Sequence, residues 1–140
     1  MTALAADTAK LIDKWTRYSF PAAAGTYYKN AWIVGDPATH NVKNVVAATA
    51  TFISLGLCHV FGGVAAGTVL AGGAALEVDF IKEKTFFWLK NDGTITKAAQ
   101  LFSLAYFLDN ATATATAGTN TIAGTIYDVD AVRGVMIEKV

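Results

Sequence analysis

The sequence predicts a mainly β protein: a small barrel or sandwich of short antiparallel strands, preceded by a short N-terminal helix or arm. Three observations predict it. Turn chemistry recurs roughly every 8–12 residues. Between the turns, apolar and polar residues alternate at period two. The 140 residues suit one domain, long enough to bury a core without a disulfide or a structural metal.

The first element is the exception to this pattern. Leu4, Thr8, Leu11, Ile12 and Trp15 recur on one helical face, and Asp7–Lys10 and Asp13–Arg17 can pair on the other. The residue before Pro21 avoids the helical region, so the segment stops there. The spacing predicts an amphipathic helix over Ala3–Tyr18, with an extended arm as the alternative for so short an isolated element. Residues 1–24 then form an arm and residues 25–140 the β domain.

From Gly25 onward, Tyr27–Val34 reads as a strand and Gly35-Asp36-Pro37 as a turn. Val42–Val46 and Phe52–Val60 read as strands. Ala75–Ile81 alternates, with Leu76, Val78 and Phe80 on one face and Glu77 and Asp79 on the other, which predicts a half-solvated strand. Phe86–Leu89 is apolar on both faces, which places it centrally or at an interface. Asn91-Asp92-Gly93 is a turn signal. Tyr106–Leu108, Thr121–Val129 and Gly134–Glu138 complete the set. The Ala/Thr alternation of Ala111–Ala117 suits a thin edge strand or a loop lying on a partner. Asn44–Leu57 and Asn110–Ile126 echo one another: each runs from Asn through small residues into an apolar strand holding Gly56 or Gly124.

Leu55–Leu76 carries no Asp, Glu, Lys or Arg and is long enough to span a bilayer as a helix. Gly63 and Gly67 even stand at small-xxx-small spacing. Against a span, Gly62-Gly63 and Gly72-Gly73 come in pairs, as turns do, and no basic cluster flanks the segment. Strand, Gly-rich loop and strand is the competing reading. Near the start, Asp7, Lys10, Asp13, Lys14 and Arg17 leave no apolar run for a signal peptide, so the protein is expected to stay where it is made.

Composition narrows the function. Eleven basic and eleven acidic residues give a net charge of zero, which argues against general nucleic-acid or membrane-surface binding. Charged residues are only 16% of the chain, hydrophobic ones 54%, and mean hydropathy is +0.39. Such an excess implies apolar surface beyond the core, covered by a membrane or a partner. Enzymatic signatures fail in turn. Gly62-x4-Gly67-Thr68 lacks the lysine of a phosphate loop. Cys58 and His59 are neighbours, so on a strand they face opposite ways and form no nucleophile–base pair. His40 and His59 have no zinc spacing. Glu77/Asp79 and Asp128/Asp130 each share a strand face, but neither pair has the loop donors of a calcium site. No catalytic residue, cofactor or metal ligand is expected. Aromatics, which favour interface cores, crowd the first quarter: Trp15, Tyr18, Phe20, Tyr27, Tyr28 and Trp32.

GTYYKNAWIV (Gly25–Val34), ISLGLCHV (Ile53–Val60) and above all Gly93–Glu138, with its YFLD and AGTIYDVD runs, resemble the small β-rich head-decoration (cement) proteins of tailed bacteriophages and prophages. About 115 of the 140 residues take part. The segment Ala3–Tyr18 is extra to that pattern, and Phe61–Gly73 is more apolar than the pattern leads one to expect. The resemblance implies a non-enzymatic virion protein, made in the host bacterial cytoplasm. It would bind the major capsid protein on the outer surface of the head, as a homotrimer at three-fold or quasi-three-fold positions. The alternatives are a tail or baseplate β-module and a small membrane protein spanning with Leu55–Leu76. The apolar stripe of the extra segment makes Leu4, Leu11, Ile12, Trp15, Tyr18 and Phe20 the expected capsid or subunit contacts, with Lys10, Lys14 and Arg17 facing acidic groups. Phe87 and Trp88 are the expected trimer contacts.

Overall fold

Period-two alternation becomes strand along most of the chain. The computed structural model describes residues 17–45, 52–59 and 68–140. In chain order these residues form β1 (Arg17–Pro21), β2 (Gly25–Tyr27), β3 (Trp32–Asp36), β4 (Asn41–Asn44), β5 (Ile53–His59), β6 (Thr68–Leu70) and β7 (Ala75–Phe80). There follow β8 (Phe86–Asn91), one helical turn α1 (Lys97–Gln100), β9 (Leu104–Phe107), β10 (Thr112–Thr114), β11 (Ile122–Asp130) and β12 (Gly134–Lys139). Strand makes up 56% and helix 4% of the described residues, so the protein is mainly β.

The strands form two lobes. In the second, β10, β8, β12, β11 and β9 close into a barrel. Five is an odd number, so antiparallel alternation must fail once around the ring. It fails between β10 and β8, which pair in parallel at Thr112↔Lys90 and Ala113↔Asn91. The Ala/Thr segment is therefore the closing strand of the barrel. A five-strand barrel has little interior space, and Ala105, Ala113 and Ala123 fill it beside Phe107, Ile126 and Ile137.

The first lobe is a sheet in the order β1-β7-β5-β3-β4. Its two ends meet through a parallel bridge, Ala22↔Val42. With β1, β3, β4, β5 and β7 matched to β8, β9, β10, β11 and β12, every neighbour and every direction agrees. The agreement extends to single residues. Ala23 N donates to Val42 O as Asp92 N does to Ala113 O. Gly56 faces Phe80 as Gly124 faces Lys139. A Cβ at Gly56 would overlap the Asp79 carbonyl, and one at Gly124 the Glu138 carbonyl. Both glycines lie at a register shift, Gly56 against β3 and Gly124 against the equivalent β9. One five-strand unit is thus present twice; of the echo between Asn44–Leu57 and Asn110–Ile126, Gly56 and Gly124 correspond, while Asn44 and Asn110 do not, because Val42 matches Ala113. Only the first lobe carries the pair β2–β6, tied down by Tyr27 Oη to Ala23 O at 2.6 Å and Asn44 Nδ2 to Thr26 O at 2.9 Å.

Each lobe has its own core. Tyr27, Ile33, Val42, Cys58, Leu76 and Val78 fill the first. Trp32 comes from β3 of the first lobe but belongs to the core of the second, with ring centroids 4.5 Å from Phe87 and 5.2 Å from Phe107. That indole, with Val34 and Val45, joins the lobes.

Several expectations need correction. Arg17 and Tyr18, read as the end of a helix, are strand, because Arg17–Pro21 pairs along its whole length with β7. The boundary drawn at 24/25 therefore cuts the first lobe. Tyr27–Val34 is two strands, split by a turn in which Asn30 takes a positive φ of 64° and Ala31 N donates to Tyr28 O. The turn placed at Gly35-Asp36-Pro37 starts later, since β3 runs through Asp36. Within Leu55–Leu76, residues 55–59, 68–70 and 75–76 are strand and Gly72-Gly73 is a turn, so that segment is not one continuous helix. No helix among the described residues is long and apolar enough to cross a membrane.

Candidate interaction surface

The outer face of the barrel is apolar where strand alternation would ordinarily put polar groups. Register aligns Phe86, Glu138, Thr125 and Leu104 across four strands. A bulge between Ile126 and Asp128 turns Tyr127 out beside this row. Its ring meets Phe86 edge-on at 5.2 Å and Phe102 edge-on at 5.6 Å. Phe102 is 68% exposed, Phe86 48%, and Leu104 and Ile122 each 42%.

Phe102 is the unusual member. It follows α1, whose start is capped by Thr96 Oγ1 accepting from Ala99 N, while Gln100 Oε1 accepts from Thr96 N at 2.7 Å. Lys97 Nζ reaches Asp128 Oδ1 at 2.7 Å and fixes the turn to β11. Phe102 N donates to Ile126 O at 2.7 Å, and Ile126 N donates to Ser103 O at 2.9 Å. The backbone there is held at φ 67°, the left-handed region that bulky side chains avoid. Neither folding propensity nor core packing accounts for an aromatic ring in that place.

The equivalent face of the first lobe has the opposite chemistry. Arg17 occupies the place of Phe86, and Glu77 and Asp79 those of Met136 and Glu138. Arg17 Nε donates to Asp79 Oδ1 at 2.6 Å, which raises the pKa of the guanidinium. His59 Nδ1 lies 3.6 Å from Asp79 Oδ2, and His59 Nε2 lies 3.9 Å from Glu77 Oε2. One copy of the unit presents a solvated ionic face, and the other an aromatic one.

Among the residues singled out from the sequence, Leu4, Leu11, Ile12 and Trp15 lie outside the described residues, as do Lys10 and Lys14. Tyr18 and Phe20 are half-buried on β1 and pack edge-on against Phe80 at 5.2 and 5.8 Å. Phe87 also has a partner in its own chain, the Trp32 ring. Trp88 points outward, half-buried under the Arg133 guanidinium, which lies 4.4 Å from its ring centroid. The patch Phe86–Tyr127–Phe102 was not singled out from the sequence.

The remaining polar groups read as structural. Cys58 is fully buried, and burial pushes its thiol up to about 11. Asp36 accepts from Lys43 Nζ at 2.7 Å, Ala38 N at 2.9 Å and Thr39 Oγ1 at 3.0 Å. The lysine bond above all holds its carboxyl down at about 2. Asp128 is lowered first by its bond from Lys97, and Asp130 first by the backbone N–H of Arg133. Among the described residues, no three His, Cys, Asp or Glu side chains group so as to hold a metal ion. No family model, curated protein or solved structure matches the chain.

Proposed function

We propose that this chain is a non-enzymatic decoration protein of a tailed-phage head, which binds the major capsid protein on the outer surface and stabilises the lattice as a homotrimer. The observation that carries the proposal is the rigidly held aromatic patch of Phe86, Tyr127 and Phe102. Exposed aromatic rings on a fixed backbone are the anchors of protein interfaces, because they bury much area for little ordering cost. The family resemblance of Gly25–Glu138, the zero net charge and the apolar excess support the same reading. Association through three copies multiplies modest contacts, so tight attachment needs no single large interface. The purified chain, added to heads of its own phage that lack it, is expected to raise the temperature at which those heads release DNA. Heads whose release temperature stays the same at saturating protein would refute the proposal.

A further inference from the structure

A second surface, which uses none of the aromatic trio, carries unspent charge. Between the lobes lies an open cleft of about 350 Å³, lined by Trp32, Phe87, Trp88, Asn30 and Asn110. A second depression, of about 480 Å³, adjoins it behind the β11–β12 turn. Lys90 and Arg133 line both. Lys90 makes no ion pair among the described residues. Among the described residues Asp130 is the only acid lining either hollow, and it is already engaged: its Oδ1 accepts from Val132 N at 2.8 Å and Arg133 N at 2.7 Å. Its Oδ2 stands 3.6 Å from Arg133 Nη2, beyond a good hydrogen bond. Two cations against one carboxylate leave a net positive charge. The Arg133 guanidinium carbon stands 4.4 Å from the Trp88 ring centroid, a contact that leaves N–H donors for an incoming carboxylate.

We propose that this cleft binds an extended acidic segment of a partner protein. A Glu or Asp carboxylate of the segment sits between Lys90 and Arg133, and an apolar neighbour lies against Trp88. The amides of Asn30 and Asn110, which make no side-chain hydrogen bond among the described residues, serve the segment's backbone. Charge complementarity selects the acidic side chain, and the aromatic wall selects a peptide over a bare anion. This inference does not rest on the decoration reading.

The test is a titration of the isotope-labelled full chain, followed by nuclear magnetic resonance, with the capped peptide acetyl-Leu-Glu-Leu-Glu-amide. The isosteric acetyl-Leu-Gln-Leu-Gln-amide and inorganic phosphate are the controls. Saturable shifts are expected at the Trp88 indole N–H and over residues 130–134. The Gln peptide should bind about fivefold more weakly, and the double variant Lys90→Gln, Arg133→Gln should lose a similar factor for the Glu peptide, the scale of exposed ion pairs. If that variant does not fold, raising the salt from about 0.05 to about 0.5 M on the parent chain should weaken the Glu peptide alone. Equal binding of the two peptides, shifts that map elsewhere, no saturation, or phosphate binding as tightly as the Glu peptide would each overturn the proposal.

Discussion

Phe102→Asn separates folding from association. A phenylalanine side chain buries about 150–250 Å² in an interface. At 68% exposure, roughly 140 Å² of Phe102 remains open in the free subunit. Covering that area at about 25 cal/mol per Å² is worth about 3.5 kcal/mol, an upper bound before ordering costs. The loss corresponds to at most about three hundredfold in the association constant. The effect on folding is small by comparison. The variant gives up one edge-on contact with Tyr127, worth ~0.5–1.5 kcal/mol. It also relieves a bulky residue at φ 67°, where asparagine is tolerated and strain costs ~1–2 kcal/mol. The two terms nearly cancel. Urea unfolding of the isolated chain should therefore shift by no more than ~1 kcal/mol. Sedimentation with heads should show occupancy collapsing at protein concentrations that saturate them with the parent chain. Destabilisation above ~2 kcal/mol with unchanged occupancy would mean that the ring serves the fold, and the reasoning fails.

Three further outcomes follow from the packing and the charges. Trp32→Ala removes the indole shared by the two lobes and should cost ~3–5 kcal/mol in urea unfolding; a cost under ~1 kcal/mol would show that the lobes do not depend on it. Asp36 has a folded-state pKa below its unfolded one, so its contribution is complete above about pH 4 and fades as the pH falls towards about 2. Asp36→Asn should flatten that acid limb of the melting temperature, and an unchanged limb would contradict the assignment. Cys58, buried with its thiol raised to about 11, should resist a thiol reagent at pH 8 in the folded chain and react at once in urea. Rapid reaction without denaturant would contradict its place in the core.

Much of the fold is legible locally, because the burial pattern is written at period two. Leu76, Val78 and Phe80 against Glu77 and Asp79 is the plainest instance, and β7 has that alternation of faces. Arg17 and Tyr18 fit the end of a helical stripe equally well; what makes them strand is β7, some sixty residues away. The turn inside Tyr27–Val34 is set by a left-handed Asn30, a conformation that asparagine permits but does not announce. Gly56 and Gly124 gave a hint of duplication, yet their meaning lies in a neighbouring strand's carbonyl. The aromatic patch could not be found by scanning. Its members are far apart in sequence, and Phe102 stands in a turn outside any strand, where period two assigns no face.

The most direct measurement of the central claim is the distribution of the native protein between capsid forms of the phage proposed to encode it. DNA-filled heads and empty procapsids are separated on a density gradient, each is probed for the chain, and the filled heads are imaged by electron cryomicroscopy. The account predicts the protein on filled heads only, as trimeric density on the outer surface at three-fold and quasi-three-fold positions, with the face bearing Phe86, Tyr127 and Phe102 buried in contacts. Its absence from filled heads, or density that leaves this face in solvent, would contradict the account.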